Sequence, residues 1–141
     1  MMDLLIFEIA ETPCGVRTEF VREVQRAVSL SSVPEARSQV LGAMNLRGQM
    51  VLVLDLRGAI GAPLKQVVPT DHFLVIQCGE RLLAIRVDRA RELVHVDESE
   101  ITDSAAVLPS AQFVAHVARV GDNFIHVIDS ARLCALADLA K

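Results

Sequence analysis

The chain has 141 residues, a hydrophobic fraction of 52% and a net charge of −4, with 14 basic side chains against 18 acidic ones. That length supports one compact domain or two very small lobes sharing an interface. The acidic balance and the lack of Trp and Tyr disfavour a nucleic-acid surface, which needs cationic groups and stacking aromatics.

No apolar run approaches the roughly 18 residues of a membrane span; Met50–Leu54 is bounded by Gln49 and Asp55. Met1–Leu5 has no basic residue before its short apolar run and is not read as a secretory signal. Cys14, Cys78 and Cys134 stand far apart with no CxxC pair, as expected for reduced thiols in a cytosolic protein.

In chain order, Leu4–Ala10 is an apolar run of strand length, followed by turn-prone Glu11-Thr12-Pro13. Val21–Val24 is compatible with one helical turn before a strand, and Ser29–Pro34 reads as a loop. Gln39–Arg47 and Met50–Leu54 flank Gly48-Gln49, a two-residue hairpin signal with Gly first. After the loop Ala62–Thr70, the strand His72–Cys78 ends at Gly79-Glu80. Beyond a further loop, Glu98–Ser110, the strands Val114–Val120 and Phe124–Ile128 flank Gly121-Asp122-Asn123. Asp55 and Asp129 each close a strand and open a short helical stretch, where a carboxylate caps free amides. Ser130–Leu139, rich in Ala and Leu, predicts a terminal helix.

These elements repeat. Leu5–Glu11 lies over Leu74–Glu80, and the same offset lays Gly15-Val16-Arg17 on Ala84-Ile85-Arg86 and Glu23-Val24 on Glu92-Leu93. After a short insertion, Gln39-Val40-Leu41 falls on Gln112-Phe113-Val114 and Gly48 on Gly121; one residue more brings Leu54-Asp55 onto Ile128-Asp129. Short strands with hairpin turns and no amphipathic crossover helices predict an all-β chain of two small barrels, one per half.

Catalysis needs convergent polar groups, and the sequence offers few. His72, His95, His116 and His126 lack metal-ligand spacing, although His116 and His126 occupy the two arms of one hairpin and could face each other. There is no GxSxG, Walker loop or GxGxxG. The expectation is a protein with no catalytic residues, no metal and no cofactor. One rival is a hydrolase built on Asp55, Asp88 and Asp129, which requires those strand-end carboxylates to share a cleft. Others are a nucleic-acid-binding small barrel and a small acidic β-barrel interaction module.

The segment Asn45-Leu46-Arg47-Gly48-Gln49-Met50-Val51-Leu52-Val53-Leu54-Asp55-Leu56-Arg57 resembles the NLRGxxxPVxDLR signature of the CheW family of chemotaxis coupling proteins. Gly15-Val16 through Val21–Val24 is similar to the family's YAIxVxxVxEV stretch, Val33-Pro34 to its VP, and Ala84–Asp88 with Glu92-Leu93 to GIxVD and EV. Phe124–Leu133 resembles its closing LIxLLDxxxLL. The chain departs from that pattern at Val51-Leu52, where the family has Pro, and at Cys14, Gly15 and Ala84.

The resemblance implies two intertwined five-stranded SH3-like barrels in a single domain spanning 1–141. One lobe is expected at about 15–70, the other at about 1–14 plus 71–130, and a helix at about 130–139. It implies no enzymatic activity, and as partners the cytoplasmic tip of chemoreceptors and the regulatory domain of a CheA-type histidine kinase. No nucleic acid is expected, nor direct membrane insertion; the location is cytoplasmic, at receptor arrays. The residues it places at the receptor are Val21, Glu23, Gly42, Asn45, Arg47 and Gly48.

Overall fold

The computed structural model describes residues 1–34, 39–103 and 113–139, the last four by backbone alone. Among the described residues eleven strands are formed: β1 (Met2–Ile9), β2 (Thr12–Arg17), β3 (Val21–Arg26), β4 (Val40–Leu46), β5 (Gln49–Leu54), β6 (His72–Cys78), β7 (Arg81–Val87), β8 (Arg89–Val96), β9 (Ile101–Asp103), β10 (Val114–Val120) and β11 (Asn123–Ile128). Helix α1 (Ser130–Leu139) follows. Of the expected loop over 98–110, residues 98–103 form a 3-10 turn and β9, and the remainder lies outside the described residues. Val21–Val24 is strand; the helical turn is Thr18–Phe20, immediately before it.

Two sheets form, of order β8-β1-β2-β11-β10-β9 and β3-β6-β7-β5-β4. Each takes strands from both halves of the chain. β1 and β2 are a hairpin, yet β3 leaves to pair with β6 in the other sheet; β6 and β7 are a hairpin, and β8 returns to pair with β1. The crossings are short, at Thr18–Phe20 and Asp88, so each barrel is completed by its neighbour's strand. The second sheet accordingly spans 21–87, whereas the sequence reading placed a lobe boundary near 70 and set 71–87 with the start of the chain.

The internal repeat is visible in the registers. β2 runs parallel to β11, with Cys14 opposite His126 and Val16 opposite Ile128. β7 runs parallel to β5, with Leu83 opposite Leu52 and Ile85 opposite Leu54. The alignment that lays Cys14 on Leu83 carries one set of pairs onto the other. The bulge between Val21 and Glu23 likewise recurs between Ala90 and Glu92. One detail of the alignment shifts: the enclosing pairs are Leu46–Gln49 and Val120–Asn123, so Arg47 corresponds to Gly121.

The core explains why the central strands read as continuous apolar runs. Leu5, Phe7 and Ile9 of β1 enter a central cluster with Leu54, Leu74, Ile76, Ile85 and Leu133, while Leu4 and Ile6 enter a second cluster inside their own barrel. On β6, Leu74 and Ile76 face the centre, and Phe73 and Val75 face a third cluster with Met44, Val51 and Val53. With successive side chains on opposite faces and both faces buried, the central positions of these strands, Leu4–Phe7 and Phe73–Ile76, are all apolar.

Candidate functional site

The signature segment forms the β4–β5 hairpin. Its turn is Arg47-Gly48, one residue earlier than the Gly48-Gln49 turn expected from sequence, with φ of 51° and 86°. Two consecutive left-handed residues match the twist of the flanking strands. The Asn45 side-chain oxygen accepts a hydrogen bond from the Gly48 N–H at 2.8 Å, which holds the loop closed.

The turn aims Arg47 at β3. Glu23 and Gln25 share a half-buried face of that strand, opposite Val75 and Phe73, whereas the bulge turns Val21 to the other face, opposite Ile76. The Arg47 Nη2 donates to Glu23 Oε2 at 2.6 Å and Nη1 to Oε1 at 3.4 Å, a two-point guanidinium–carboxylate contact. Next to it, Gln25 Nε2 lies 3.3 Å from Met44 Sδ. The hydrogen bond from Arg47, reinforced by its charge, holds the Glu23 carboxyl below the usual carboxylate range. Arg47 remains the more accessible partner, its side chain 71% exposed against 29% for Glu23.

Glu23, Asn45, Arg47 and Gly48 are thus joined by direct bonds, whereas Val21, beyond the bulge, lies opposite Ile76 and packs on the central core cluster. Gly42 is placed differently. It sits at the bulge of β4, where a Cβ would meet Ser31 O at 2.7 Å and Leu30 Cβ at 3.0 Å. A glycine there admits the Leu30–Ser31 segment, whose Ser31 exchanges backbone hydrogen bonds with Ala43. Beside the hairpin lies a cleft of about 360 Å³ lined by Val33, Pro34, Met44, Asn45 and Met50, with Met50 75% exposed.

The strand-end carboxylates do not converge on one cleft. Asp129 lies ahead of α1, and its Oδ1 accepts from Ala131 N–H at 2.8 Å. Asp55 Oδ1 accepts from Arg57 N–H, while Oδ2 is ion-paired with Arg86. Asp88 pairs with Arg57 at 2.6 Å and accepts from Ala10 N–H at 2.9 Å. Arginines neutralise Asp55 and Asp88, and hydrogen bonds from the first turn of α1 hold Asp129, a structural arrangement unlike an acid–base pair.

The sequence reading missed this network. Arg86, 1% exposed, also binds Asp71, and the only available signal was a charged residue near the end of an apolar strand. His116 and His126 are opposite Val127 and Val117 and so point to opposite faces, against the expectation that they could meet. Burial pushes the Cys14 thiol up to about 12, far from a usable nucleophile. Among the described residues no group of three or more His, Cys, Asp or Glu is assembled for a metal, and no helix is long and apolar enough to cross a membrane.

Two interlocked β-sheets, one displaying an ion-paired hairpin, define an all-β double-barrel protein. The chain belongs to the CheW-like family: the model of the CheW-like domain matches residues 3–138. It is similar to the chemotaxis protein CheW of Treponema pallidum, 22% identical over 98% of this chain and 85% of that protein. The chemotaxis protein CheW of Klebsiella aerogenes is also 22% identical, over 98% and 84% respectively. Among solved structures, the scaffolding protein TtCheW from Thermoanaerobacter tengcongensis superposes with a TM-score of 0.83 at 26% identity, covering 91% of this chain and 88% of that one. The all-β, double-barrel fold is therefore that of CheW, and the family is one of chemotaxis scaffolds.

Proposed function

We propose that this chain is a non-enzymatic chemosensory adaptor that couples the cytoplasmic tip of a chemoreceptor to the regulatory domain of a CheA-type histidine kinase. It would work in the cytoplasm and be drawn to membrane-bound receptor arrays through the receptor. The observation that carries the reading is the Glu23–Arg47 pair on the signature hairpin, in a chain matched to the CheW-like family over residues 3–138.

The receptor contacts Arg47, Glu23, Asn45, Gly48 and Val21. A polar helix meets a guanidinium still largely exposed, while neighbouring aliphatics bury apolar area. Gly42 supports that surface from below by seating Leu30 and Ser31 against β4. The kinase takes a separate apolar patch, so that one rigid double barrel holds both partners in register.

The test is a reconstitution of the purified chain with a receptor-tip fragment and the kinase regulatory domain, read by co-sedimentation. A three-component complex is expected, with Arg47→Glu losing the receptor and keeping the kinase. Recovery of neither partner would remove the coupling role. Unchanged receptor binding by Arg47→Glu would remove the hairpin assignment alone.

A further inference from the structure

The segment Pro63–Val68 crosses the outside of the second barrel with an unusual form of attachment. Pro63, Leu64, Lys65 and Gln66 are exposed, and Leu64 is 79% exposed. Among the described residues, no backbone–backbone hydrogen bond reaches residues 63–67. Two buried arginines hold the segment instead. Arg57 Nη1 donates to Pro63 O at 3.4 Å, and Arg86 donates to Lys65 O through Nη1 and to Gln66 O through Nη2, the latter at 2.8 Å.

The far end is tied by the carboxylate that also binds Arg86. Asp71 Oδ2 accepts from Val68 N–H at 3.0 Å and pairs with Arg86 Nη2 at 3.1 Å. Asp55 holds Arg86 from the other side at 3.3 Å. Arg86 therefore spends its donors on two carboxylates and two main-chain carbonyls, with its side chain 1% exposed. Below, Val67 packs on the third core cluster, which contains Phe73, Val75 and Val53.

We propose that Pro63–Val68 is a strap latched by Arg86, which opens as a local unit while both barrels stay folded. The latch is the Asp55–Arg86–Asp71 triad. When closed, it fixes Leu64 outward and seats Val67 over the core. The strap has few apolar contacts and no ladder bonds, so its opening free energy depends on the side-chain donors that grip its carbonyls. A buried guanidinium with two carboxylates and two carbonyls is satisfied only in the closed arrangement.

Trypsin reads the latch directly, because the Lys65–Gln66 bond is the one whose flanking carbonyls Arg86 grips. Cleavage requires the segment to leave that guanidinium, and its rate follows the population of the open form. The native chain should resist cleavage after Lys65. Arg86→Met should accelerate that cut by roughly tenfold or more, with Arg81 and Arg89, inside strands, cut no faster. Rapid cleavage after Lys65 in the unaltered protein would overturn the latch, as would an unaltered rate in Arg86→Met.

Should Arg86→Met unfold globally, so that every site is cut faster, hydrogen exchange on the unaltered protein decides the matter. The Val68 amide is expected to exchange through an opening insensitive to denaturant, whereas the amides of Phe73 and Val75 follow global unfolding. Exchange of all three through the same global event would overturn the proposal.

Discussion

Arg47, at the tip of the β4–β5 turn, and Glu23, on β3, hold each other through two hydrogen bonds of 2.6 and 3.4 Å. The sequence reading had both side chains contacting a receptor helix; in the free protein each already has a partner. Under the proposed function, a receptor arriving at this hairpin would meet a neutralised pair with one accessible edge of guanidinium. Arg47→Glu sets two carboxylates against each other on that surface. Receptor binding should be lost, with the thermal midpoint little changed because the pair is exposed. The doubly reversed variant, Glu23→Arg with Arg47→Glu, rebuilds the pair and should still fail to bind, since the cation then sits on β3. Full recovery of binding would show that the pair, and not the position of its cation, is what the receptor reads.

The same pair predicts a titration. The Glu23 carboxyl is lowered from its ordinary value of 4.5 by the Arg47 hydrogen bond. A carboxyl lowered by folding contributes stability that is present above its unfolded value and is lost as pH falls through its folded value. The pair should thus be intact at neutral and mildly acidic pH. The side-chain carboxyl resonance of Glu23, followed by NMR, should have its midpoint below 4.5 and move upward in Arg47→Gln. An identical midpoint in the two proteins would mean that the contact does not persist in solution.

Glycines 42 and 48 make a second contrast. Gly48 has nothing within 4 Å of the position a Cβ would take, but its φ is 86°. Gly48→Ala should therefore cost only the left-handed penalty, about 1 kcal/mol. At Gly42 the added methyl would lie 2.7 Å from Ser31 O, a main-chain atom already fixed by its bonds to Ala43. Gly42→Ala should cost about 2–3 kcal/mol, with the Leu30–Ser31 segment displaced. Urea unfolding of the two variants measures both; equal losses would mean that the segment simply moves aside.

What could be read beforehand follows from where local rules operate. The hairpins and the repeat were legible because turn residues and apolar runs of strand length are local signals. The exchange of β3 and β8 was not, because Val21–Arg26 and Arg89–Val96 would read alike whichever sheet received them. The Asp55–Arg86–Asp71 triad was hidden for a related reason: residues far apart in sequence meet only after β5, β6 and β7 have paired. Asn45, Arg47 and Gly48 lie within a single hairpin, and so that part of the candidate site was visible.

The β1–β2 turn carries the last prediction. Ala10 and Glu11 have φ of 50° and 69°, left-handed values that side chains resist. The pairing of Ile9 with Thr12 leaves these two residues as the whole loop, so neither can relax without breaking the hairpin. The geometry is held from outside: Asp88 Oδ2 accepts from Ala10 N–H at 2.9 Å while its Oδ1 binds Arg57 at 2.6 Å. A two-residue turn with both φ positive favours Asn-Gly. The double substitution Ala10→Asn and Glu11→Gly should relieve about 1 kcal/mol or more of strain, offset in part by the greater freedom of glycine in the unfolded chain. The net gain should appear as a rise in the denaturation midpoint. Asp88→Ala should instead destabilise, because Arg57, with a side chain 7% exposed, is left as an unpaired buried charge at a cost of about 3–5 kcal/mol. If Asp88→Ala cost no more than a surface substitution, Asp88 would be shown not to anchor the turn, and the strain at Ala10 and Glu11 would have to be held by the hairpin alone.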